Sequence, residues 1–219
     1  MKQAGRMEKS LLDSARFCAL WDRSRASNRG TDASAIWADL VDQFRRPNRH
    51  YHDETHIAHC LAELDGARNL IGNPDMVELA LWFHDAIYEP GDHDNESRSA
   101  ELFLGYARDA LPEPLVRDVY DAILATVHRE IPEKGNARFV VDIDLSSFGL
   151  PWPKFMADCH ALRKEQIDVN DSEFYRSKRK FLRSLIDRNS IFVTPYFCQR
   201  YEDAARTNIQ RYLDLVEKR

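Results

Sequence analysis

The residues with the clearest chemical potential lie in LALWFHDAIY, residues 79–88, where His84 directly precedes Asp85. An ionised carboxylate is costly to bury alone, and a cation held by the aspartate oxygen and the histidine nitrogen removes that cost. The alternative is a His-Asp pair that hydrogen bonds to backbone at a helix end. Apolar residues recur around the pair with the spacing of one helix face, at Val77, Ala80, Leu81 and Ile87. We therefore expect the pair near the buried end of a core helix.

Two further histidines stand four residues apart in YHDETHIAHC, residues 51–60. His52 and His56 share one helix face if both are helical. They can then bind one metal ion together, or one can bind the ion while the other faces a substrate. Ile57 and Cys60 favour an interior position for His56. Four other histidines are interpreted as ordinary surface or core side chains: His50, His59, His93 and His160.

A pair of acids lies in ARFVVDIDLSSFG, residues 137–149. Asp142 and Asp144 are two residues apart, which is about 200° of rotation on a helix, so both cannot reach one ion from the same face. One of them must have another role, and a backbone or arginine hydrogen bond is an alternative for either. Residues 139–148 indicate a short core helix, although periodicity alone leaves a buried strand open.

Most of the chain has helical periodicity, which predicts an all-α, bundle-like fold of about nine or ten helices in a single domain, residues 1–219. Asp53 is typical of a helix N-cap, and Asn73 with Pro74 predicts the start of the central helix. Pro47 is expected to end the helix before it. The first helix is expected to bury a stripe formed by Leu11, Leu12, Ala15, Cys18 and Ala19.

Composition excludes several classes of protein. A chain of 219 residues can bury roughly 70% of its unfolded surface in one core. The net charge of −5 and the pI near 5.9 argue against a surface that binds duplex nucleic acid. No apolar run reaches roughly 18 residues, and MKQAGRMEK lacks the core of a signal peptide, so we expect a cytoplasmic protein without a membrane partner. The four cysteines form no CxxC pair and are interpreted as core residues: Cys18, Cys60, Cys159 and Cys198.

The order of a histidine, a His-Asp pair and an aspartate on three separate helices resembles the HD-domain superfamily of metal-dependent phosphohydrolases. Further pieces resemble a bacterial subgroup known mainly as predicted metal-dependent HD phosphohydrolases, over about residues 36–212. They are YHDETHI, ALWFHDAIY, NESRSA, TVHRE, DIDLSSFG, LRKEQ, IF and EDAARTNI. The resemblance implies the helical fold of HD domains and phosphodiesterases.

The resemblance also implies a ligand set for a divalent first-row metal: His56, His84, Asp85 and Asp144. The choice among Mn, Fe, Ni, Zn, Co and Mg is open, as is the number of ions. Asp144 is preferred to Asp142 because the DLS that it begins is similar to the DLS at the metal-binding aspartate of cyclic nucleotide phosphodiesterases. YHDETH is similar to the YHNxxH of those enzymes, although Asp53 replaces the asparagine, and by that likeness His52 is the general acid.

The remaining roles are assigned on weaker patterns. A transferred phosphoryl group needs cations, and we expect them from Arg49, Arg163 and Arg179. A solvated helix face is the alternative for the basic run 176–183. Glu96 is expected to act as an acid or base, or to stabilise a helix start. His128 is expected to contact a second ion or the phosphate, or to be an ordinary helix-terminal histidine.

These expectations favour an enzyme that hydrolyses a phosphate ester in a small molecule, with a nucleotide as the preferred substrate. The alternatives are a non-catalytic HD domain that senses metal or nucleotide, and an HD-type di-iron oxygenase. Trp152 and Tyr196 could contribute to a homodimer contact, although burial within the chain is the commoner use of such residues.

Overall fold

The computed structural model describes residues 11–27, 29–133 and 135–217. Within these ranges the chain forms ten α-helices and no strand, which confirms the all-α prediction and its helix number. The helices are α1 (Ser14–Ser24), α2 (Ala33–Phe44), α3 (Glu54–Ala67), α4 (Pro74–Phe83), α5 (Asn95–Ala107), α6 (Glu113–Ala125), α7 (Ala137–Leu145), α8 (Trp152–Glu165), α9 (Asp171–Ile186) and α10 (Pro195–Val216). Short 3₁₀ helices follow α3, at Arg68–Leu70, and α7, at Ser146–Gly149.

The predicted helix starts are confirmed by their capping hydrogen bonds. The side chain of Asp53 accepts from the backbone N–H of Thr55 at 2.7 Å, directly before α3. Asn73 accepts from the backbone N–H of Met76 at 3.1 Å, and Pro74 follows it as the first residue of α4. Such caps each stabilise a helix by about 1 kcal/mol. The helix α2 ends at Phe44, ahead of Pro47.

The helix α4 is the centre of the core. Every residue from Met76 to Phe83 is buried, which is typical of a helix enclosed on all sides. It packs against α3, α6 and α7. Its one buried acid, Glu78, accepts hydrogen bonds from Arg16 at 2.7 Å and Arg68 at 3.0 Å. His84 follows α4 at its buried end and donates its backbone N–H to the carbonyl of Ala80 at 2.9 Å, so the His-Asp pair lies just after the helix.

The stripe expected for α1 was largely wrong. Leu11 is 67% exposed, and Ala15 and Ala19 are exposed. Phe17 and Trp21 are fully buried instead, because α1 turns its large rings toward α4. The Phe17 ring lies 5.3 Å from that of Trp82 in an edge-on contact. Aromatic side chains bury more apolar area than alanines do, and this decides the orientation of the helix.

One connected cluster of buried apolar side chains extends from Leu12 to Val216 and includes residues of all ten helices in the described ranges. Cys60 and Cys159 belong to it, whereas Cys18 and Cys198 are half-buried. No helix in the described part of the chain combines the length and hydropathy of a membrane span. The expectation that residues 1–9 lack the core of a signal peptide concerns residues outside the described ranges. The single domain over residues 1–219 stays a prediction.

The strand alternative for residues 139–148 was wrong, because the segment is helical throughout α7 and the 3₁₀ helix that follows. The aromatic residues considered for a dimer contact are half-buried. Trp152 stacks on Phe155 at 5.5 Å, and Tyr196 contacts Phe197 edge-on at 5.0 Å. A homodimer stays a prediction.

Candidate metal centre

Four side chains from three chain segments converge at the buried end of α4. The Nε2 atom of His56 lies 3.4 Å from Asp85 Oδ2 and 3.2 Å from Asp144 Oδ1. The Nε2 atom of His84 lies 3.0 Å from Asp85 Oδ2 and 3.5 Å from Asp144 Oδ1. The two imidazole nitrogens are 3.3 Å apart. The structure therefore brings together the whole ligand set implied by the HD-domain resemblance.

These distances fit a metal ion. An ion about 2.0–2.1 Å from each ligand atom would place neighbouring ligand atoms about 3.0 Å apart in an octahedron and about 3.3 Å apart in a tetrahedron. His84 Nδ1 lies 2.9 Å from the carbonyl oxygen of Leu81, which can only accept, so Nδ1 carries a proton and Nε2 is the atom available to an ion. Two imidazoles and two carboxylates suit a divalent first-row metal. The four residues could therefore hold such an ion.

The electrostatics of the cluster favour positive charge at its centre. Burial alone would lower the pKa of His84, but the carboxylates of Asp85 and Asp144 outweigh it and raise that pKa well above its ordinary value. Burial would raise the pKa of both aspartates, but the surrounding histidines hold each below its ordinary value. Both carboxylates are therefore ionised near neutral pH, and a cation beside them is stabilised.

Arg49 contacts the backbone on both sides of the cluster, and its predicted phosphate role stays a prediction. Its guanidinium is buried and donates to the carbonyl oxygens of His52 at 2.8 Å, Asp85 at 2.6 Å and Ala86 at 2.8 Å. These bonds fasten the segment before α3 to the turn after α4. The Nε atom of Arg49 is buried and has no hydrogen-bond partner among the described residues.

Asp142 and Asp144 face opposite sides of α7, as their spacing requires. Asp142 is fully buried. One of its oxygens accepts the backbone N–H of Val193 at 2.8 Å, and the other accepts the N–H and the hydroxyl of Thr194 at 2.7 and 2.6 Å. Asp142 thus holds the segment that leads into α10, which leaves Asp144 for the metal cluster.

We expect Asp142→Ala to destabilise the protein by about 2–4 kcal/mol, because it leaves the half-buried N–H of Val193 and the buried N–H of Thr194 without their acceptor. Thermal and urea unfolding measure the loss. Metal binding by the folded variant should persist, since Asp142 does not face the cluster. The matched control is Asp158→Ala, which removes a half-buried acid of α8 and should change stability little. Equal losses in the two variants would contradict the role given to Asp142.

The pH dependence of that loss has a definite sign. Burial raises the pKa of Asp142 to about 6 against the lowering effect of its hydrogen bonds, whereas an unfolded aspartate titrates near about 3.9. A folded-state pKa above the unfolded one stabilises the protein fully at low pH, and the contribution falls as the pH rises through about 6. The stability difference between wild type and Asp142→Ala should therefore shrink between pH 4 and pH 7.

His52 lies beside the cluster although it is not part of a helix. It precedes the N-cap Asp53 and is not helical, so the condition under which it would share a helix face with His56 is not met. Its ring centroid is nevertheless 6.2 Å from that of His56. The ring of Tyr88 stacks on it at 4.0 Å. His52 Nδ1 donates to Glu165 Oε2 at 2.7 Å, which leaves Nε2 without a partner in the described part of the chain.

Glu165 is the positioning residue that the sequence analysis missed. Its side chain is buried, and its Oε1 accepts the three consecutive backbone N–H groups of residues 50–52 at 2.8–2.9 Å. Burial would raise the pKa of Glu165, but its bond to His52 contributes most to lowering it to about 2. Burial would lower the pKa of His52, but Asp85 and Glu165 raise it. Glu165 stands in the LRKEQ motif, in which the sequence analysis predicted a role only for Arg163.

The other two arginines expected at the phosphate are not part of the cluster. Arg163 donates to Asp171 at 2.7 Å and to the carbonyls of Gln166 and Val169, so it ties the end of α8 to the start of α9. Its predicted phosphate role stays a prediction. Arg179 is half-buried on α9 and has no hydrogen bond or ion pair to another described residue. Its role stays a prediction.

His128 and Glu96 both lie near the cluster. His128 is buried, and its Nε2 donates to Asp144 Oδ2 at 2.7 Å. Its backbone has a φ of +57°, the one positive φ of a non-glycine residue in the described ranges. Glu96 is half-buried in the first turn of α5, and burial raises its pKa with help from the charges of Asp85 and Asp144. Its carboxylate is thus within electrostatic reach of both ligands.

A second missed residue is Cys60, which was interpreted as a core side chain. Its Sγ lies 3.6 Å from His56 Nε2, and one ligand atom each from His56, Cys60 and His84 lie within 4.8 Å of one another. The spacing of four residues from His56 was the available signal. His59, by contrast, hydrogen bonds to the hydroxyl of Ser146 at 2.8 Å, as expected of an ordinary polar histidine.

A cavity of about 270 Å³ lies between α3 and α8 and borders the cluster at His56. Its wall includes Tyr51, His59, Ser147 and Asp158. Asp85 and Asp144 do not line it, so it gives access to one side of the cluster only.

Comparisons with known proteins add no relative, since no family model, curated protein or solved structure matches the chain. The HD-domain resemblance therefore stays a prediction that rests on the residues of this sequence. What the described residues show directly is an all-α fold whose buried histidines, aspartates and cysteine could hold a metal ion.

Proposed function

We propose that the protein is a metal-dependent phosphohydrolase of the HD type, which cleaves a phosphate ester bond in a small molecule, with a nucleotide as the preferred substrate. One observation carries the proposal: a separately oriented imidazole, that of His52, lies beside the cluster of His56, His84, Asp85 and Asp144. A metal site alone suits many functions. A metal site with a positioned proton donor is typical of hydrolysis.

In the proposed site the cluster binds the metal ion and His52 transfers a proton. A divalent ion held by the cluster would polarise a phosphate oxygen and lower the pKa of a water molecule. His52 gives a proton from Nε2 to the leaving oxygen, because Glu165 already accepts from Nδ1. Burial would lower the pKa of His52, but Asp85 and Glu165 raise it, which favours the protonated form that this task needs.

Two further residues complete the proposed site. His128 donates to Asp144 and so fixes the direction of a ligand carboxylate, which is the usual task of an outer partner at a metal site. Glu96 is a half-buried carboxylate with no hydrogen bond to another side chain in the described ranges. Its raised pKa suits a base that takes a proton from the attacking water.

Phosphate release from a panel of nucleotides and small phosphate esters tests the proposal. The purified protein is assayed with Mn, Fe, Ni, Zn, Co and Mg in turn, and we expect release with at least one of them. The same release from the Asp85→Ala protein would identify a contaminating enzyme. Oxygen consumption by the iron-loaded protein, without phosphate release, would favour an oxygenase instead.

A second candidate function is a non-catalytic metal and nucleotide sensor. It is favoured by the engagement of Arg49 and Arg163 in internal hydrogen bonds, which leaves fewer cations for a charged phosphoryl group. Nucleotide binding without turnover under any metal would identify the sensor.

We expect Glu165→Gln to shift the pH profile of kcat/KM. Glu165 raises the pKa of His52, and a general acid is active only below its pKa. The neutral amide should therefore move the alkaline limb of the profile to lower pH, by about one unit if about 1.4 kcal/mol of the interaction is lost. Activity at pH 8 should then fall more than activity at pH 6.

The matched control is Glu63→Gln. Glu63 is a half-buried glutamate of α3 that accepts from the hydroxyl of Tyr201 at 2.6 Å, away from His52. Its variant should keep the wild-type profile, and both variants should keep the wild-type metal content. An unchanged alkaline limb in Glu165→Gln would show that His52 is not the group that titrates there.

A further inference from the structure

Cys60 places a sulfur atom at the nitrogen that faces the metal centre. It lies one helical turn after His56 on α3, so the two side chains share a face of that helix. The cysteine is fully buried. Its Sγ is 3.6 Å from Nε2 of His56, the same atom that lies 3.2 Å from Asp144. The sulfur of Cys60 thus lies near the ligand atom of His56 and not on the outer side of its ring.

The distances suit coordination. Typical bonds from zinc are about 2.3 Å to sulfur and about 2.0–2.1 Å to imidazole nitrogen, which places the two ligand atoms about 3.5 Å apart in a tetrahedral shell. The observed sulfur–nitrogen distance is 3.6 Å. Once His56 gives its Nε2 lone pair to an ion, the thiol loses its one acceptor in the described part of the chain. A sulfur bonded to the ion resolves that conflict.

We propose that Cys60 is a thiolate ligand that holds an ion together with His56 and His84, the two residues whose nitrogens lie within 4.8 Å of its sulfur, and that it biases the centre toward zinc, cobalt or iron over magnesium and manganese. The inference rests on the metal centre of the proposed function. On binding, the S–H bond breaks, a sulfur–metal bond forms and the proton leaves to solvent, with no change of oxidation state. Soft thiolates select zinc and iron, whereas magnesium and manganese prefer oxygen ligands.

Cobalt(II) spectroscopy tests the assignment without any activity assay. The cobalt-loaded wild type should show visible ligand-field bands and a sulfur-to-cobalt charge-transfer band in the near ultraviolet. Cys60→Ser and Cys60→Ala should lose the near-ultraviolet band and keep the visible ones. The matched control is Cys159→Ala, which removes another buried cysteine, on α8, and should retain every band.

Metal competition gives a second readout. Removal of a residue that hydrogen bonds to a metal ligand lowers metal affinity by about tenfold or more. Cys60→Ala should lower the affinity for zinc by more than about tenfold, because it removes a ligand, while the affinity for manganese should change little. Circular dichroism checks that the variants fold. X-ray absorption of the zinc-loaded wild type detects a sulfur neighbour directly and needs no variant.

The outcomes separate this inference from the proposed function. Visible cobalt bands without a near-ultraviolet band would overturn the Cys60 assignment and leave the histidine–aspartate centre intact. A protein that binds neither cobalt nor zinc would overturn the Cys60 assignment, and one that binds none of the six metals would overturn the proposed function as well. A sulfur band in a protein that releases no phosphate from any substrate would keep Cys60 as a ligand and remove the hydrolase.

Discussion

Asp85→Ala is expected to lose metal binding and, with it, phosphate release. Asp85 Oδ2 lies 3.0 Å from His84 Nε2 and 3.4 Å from His56 Nε2, so it stands next to both nitrogen ligands. Its removal takes away one of the two carboxylate charges that neutralise a divalent ion. Because loss of an outer partner already costs about 10–100-fold in affinity, loss of this ligand should cost at least about 100-fold.

The measurement is metal content after gel filtration, together with calorimetric titration of the metal-free protein. The variant should stay folded, because Arg49 binds the backbone carbonyl of Asp85, which the substitution keeps. Asp142→Ala serves as the control, since it removes an aspartate that faces away from the cluster and should bind metal normally. Wild-type metal stoichiometry and affinity in Asp85→Ala would remove the central premise of the site.

His52→Gln is expected to lower kcat by about 10²–10⁴-fold while the metal content stays at the wild-type level, since this is the usual contribution of a general acid. The ring lies beside the cluster without being one of its four converging ligands. Its only described hydrogen bond runs to Glu165. The variant therefore separates proton transfer from metal binding, which no substitution of a ligand can do.

The leaving group provides the sharpest check on this role. An ester with an acidic leaving group, such as a nitrophenyl phosphate, needs little protonation, so His52→Gln should reduce its hydrolysis much less than that of a nucleotide. His59→Gln is the matched control, because the ring of His59 hydrogen bonds, among the described residues, only to the hydroxyl of Ser146, and its loss should leave both rates nearly unchanged. Equal losses on the two substrates would mean that His52 positions the substrate and does not protonate it.

The ligand set was predicted from the resemblance of the His, His-Asp and Asp motifs to HD domains. Helical geometry added that the two aspartates of α7 cannot both reach one ion from the same face. Asp142 and Asp144 could not serve the same ion, and only one of them does approach the cluster. The apolar residues around His56 and around the His-Asp pair indicated the buried sides of their helices. Local periodicity therefore indicated that these residues lie in the interior, whereas their role as ligands was implied by the resemblance.

The partners of charged side chains could not be predicted in this way. Arg49 stands next to the YHDETH motif, but its partners are carbonyl oxygens that every residue possesses. Glu165 reaches His52 from 113 residues away, and nothing in its neighbourhood in the sequence marks it as buried. Cys60 resembled any small core residue until its sulfur could be placed against His56. Such long-range pairings depend on tertiary packing, which periodicity does not record.

The left-handed backbone at His128 has a consequence for engineering. A non-glycine residue with a φ of +57° costs roughly 1–2 kcal/mol relative to a right-handed one, and asparagine or glycine would bear that conformation more easily. The chain nevertheless places there the imidazole that donates to Asp144. Selection of variants for heat resistance alone would therefore favour Asn or Gly at this position, and would remove the imidazole that donates to Asp144.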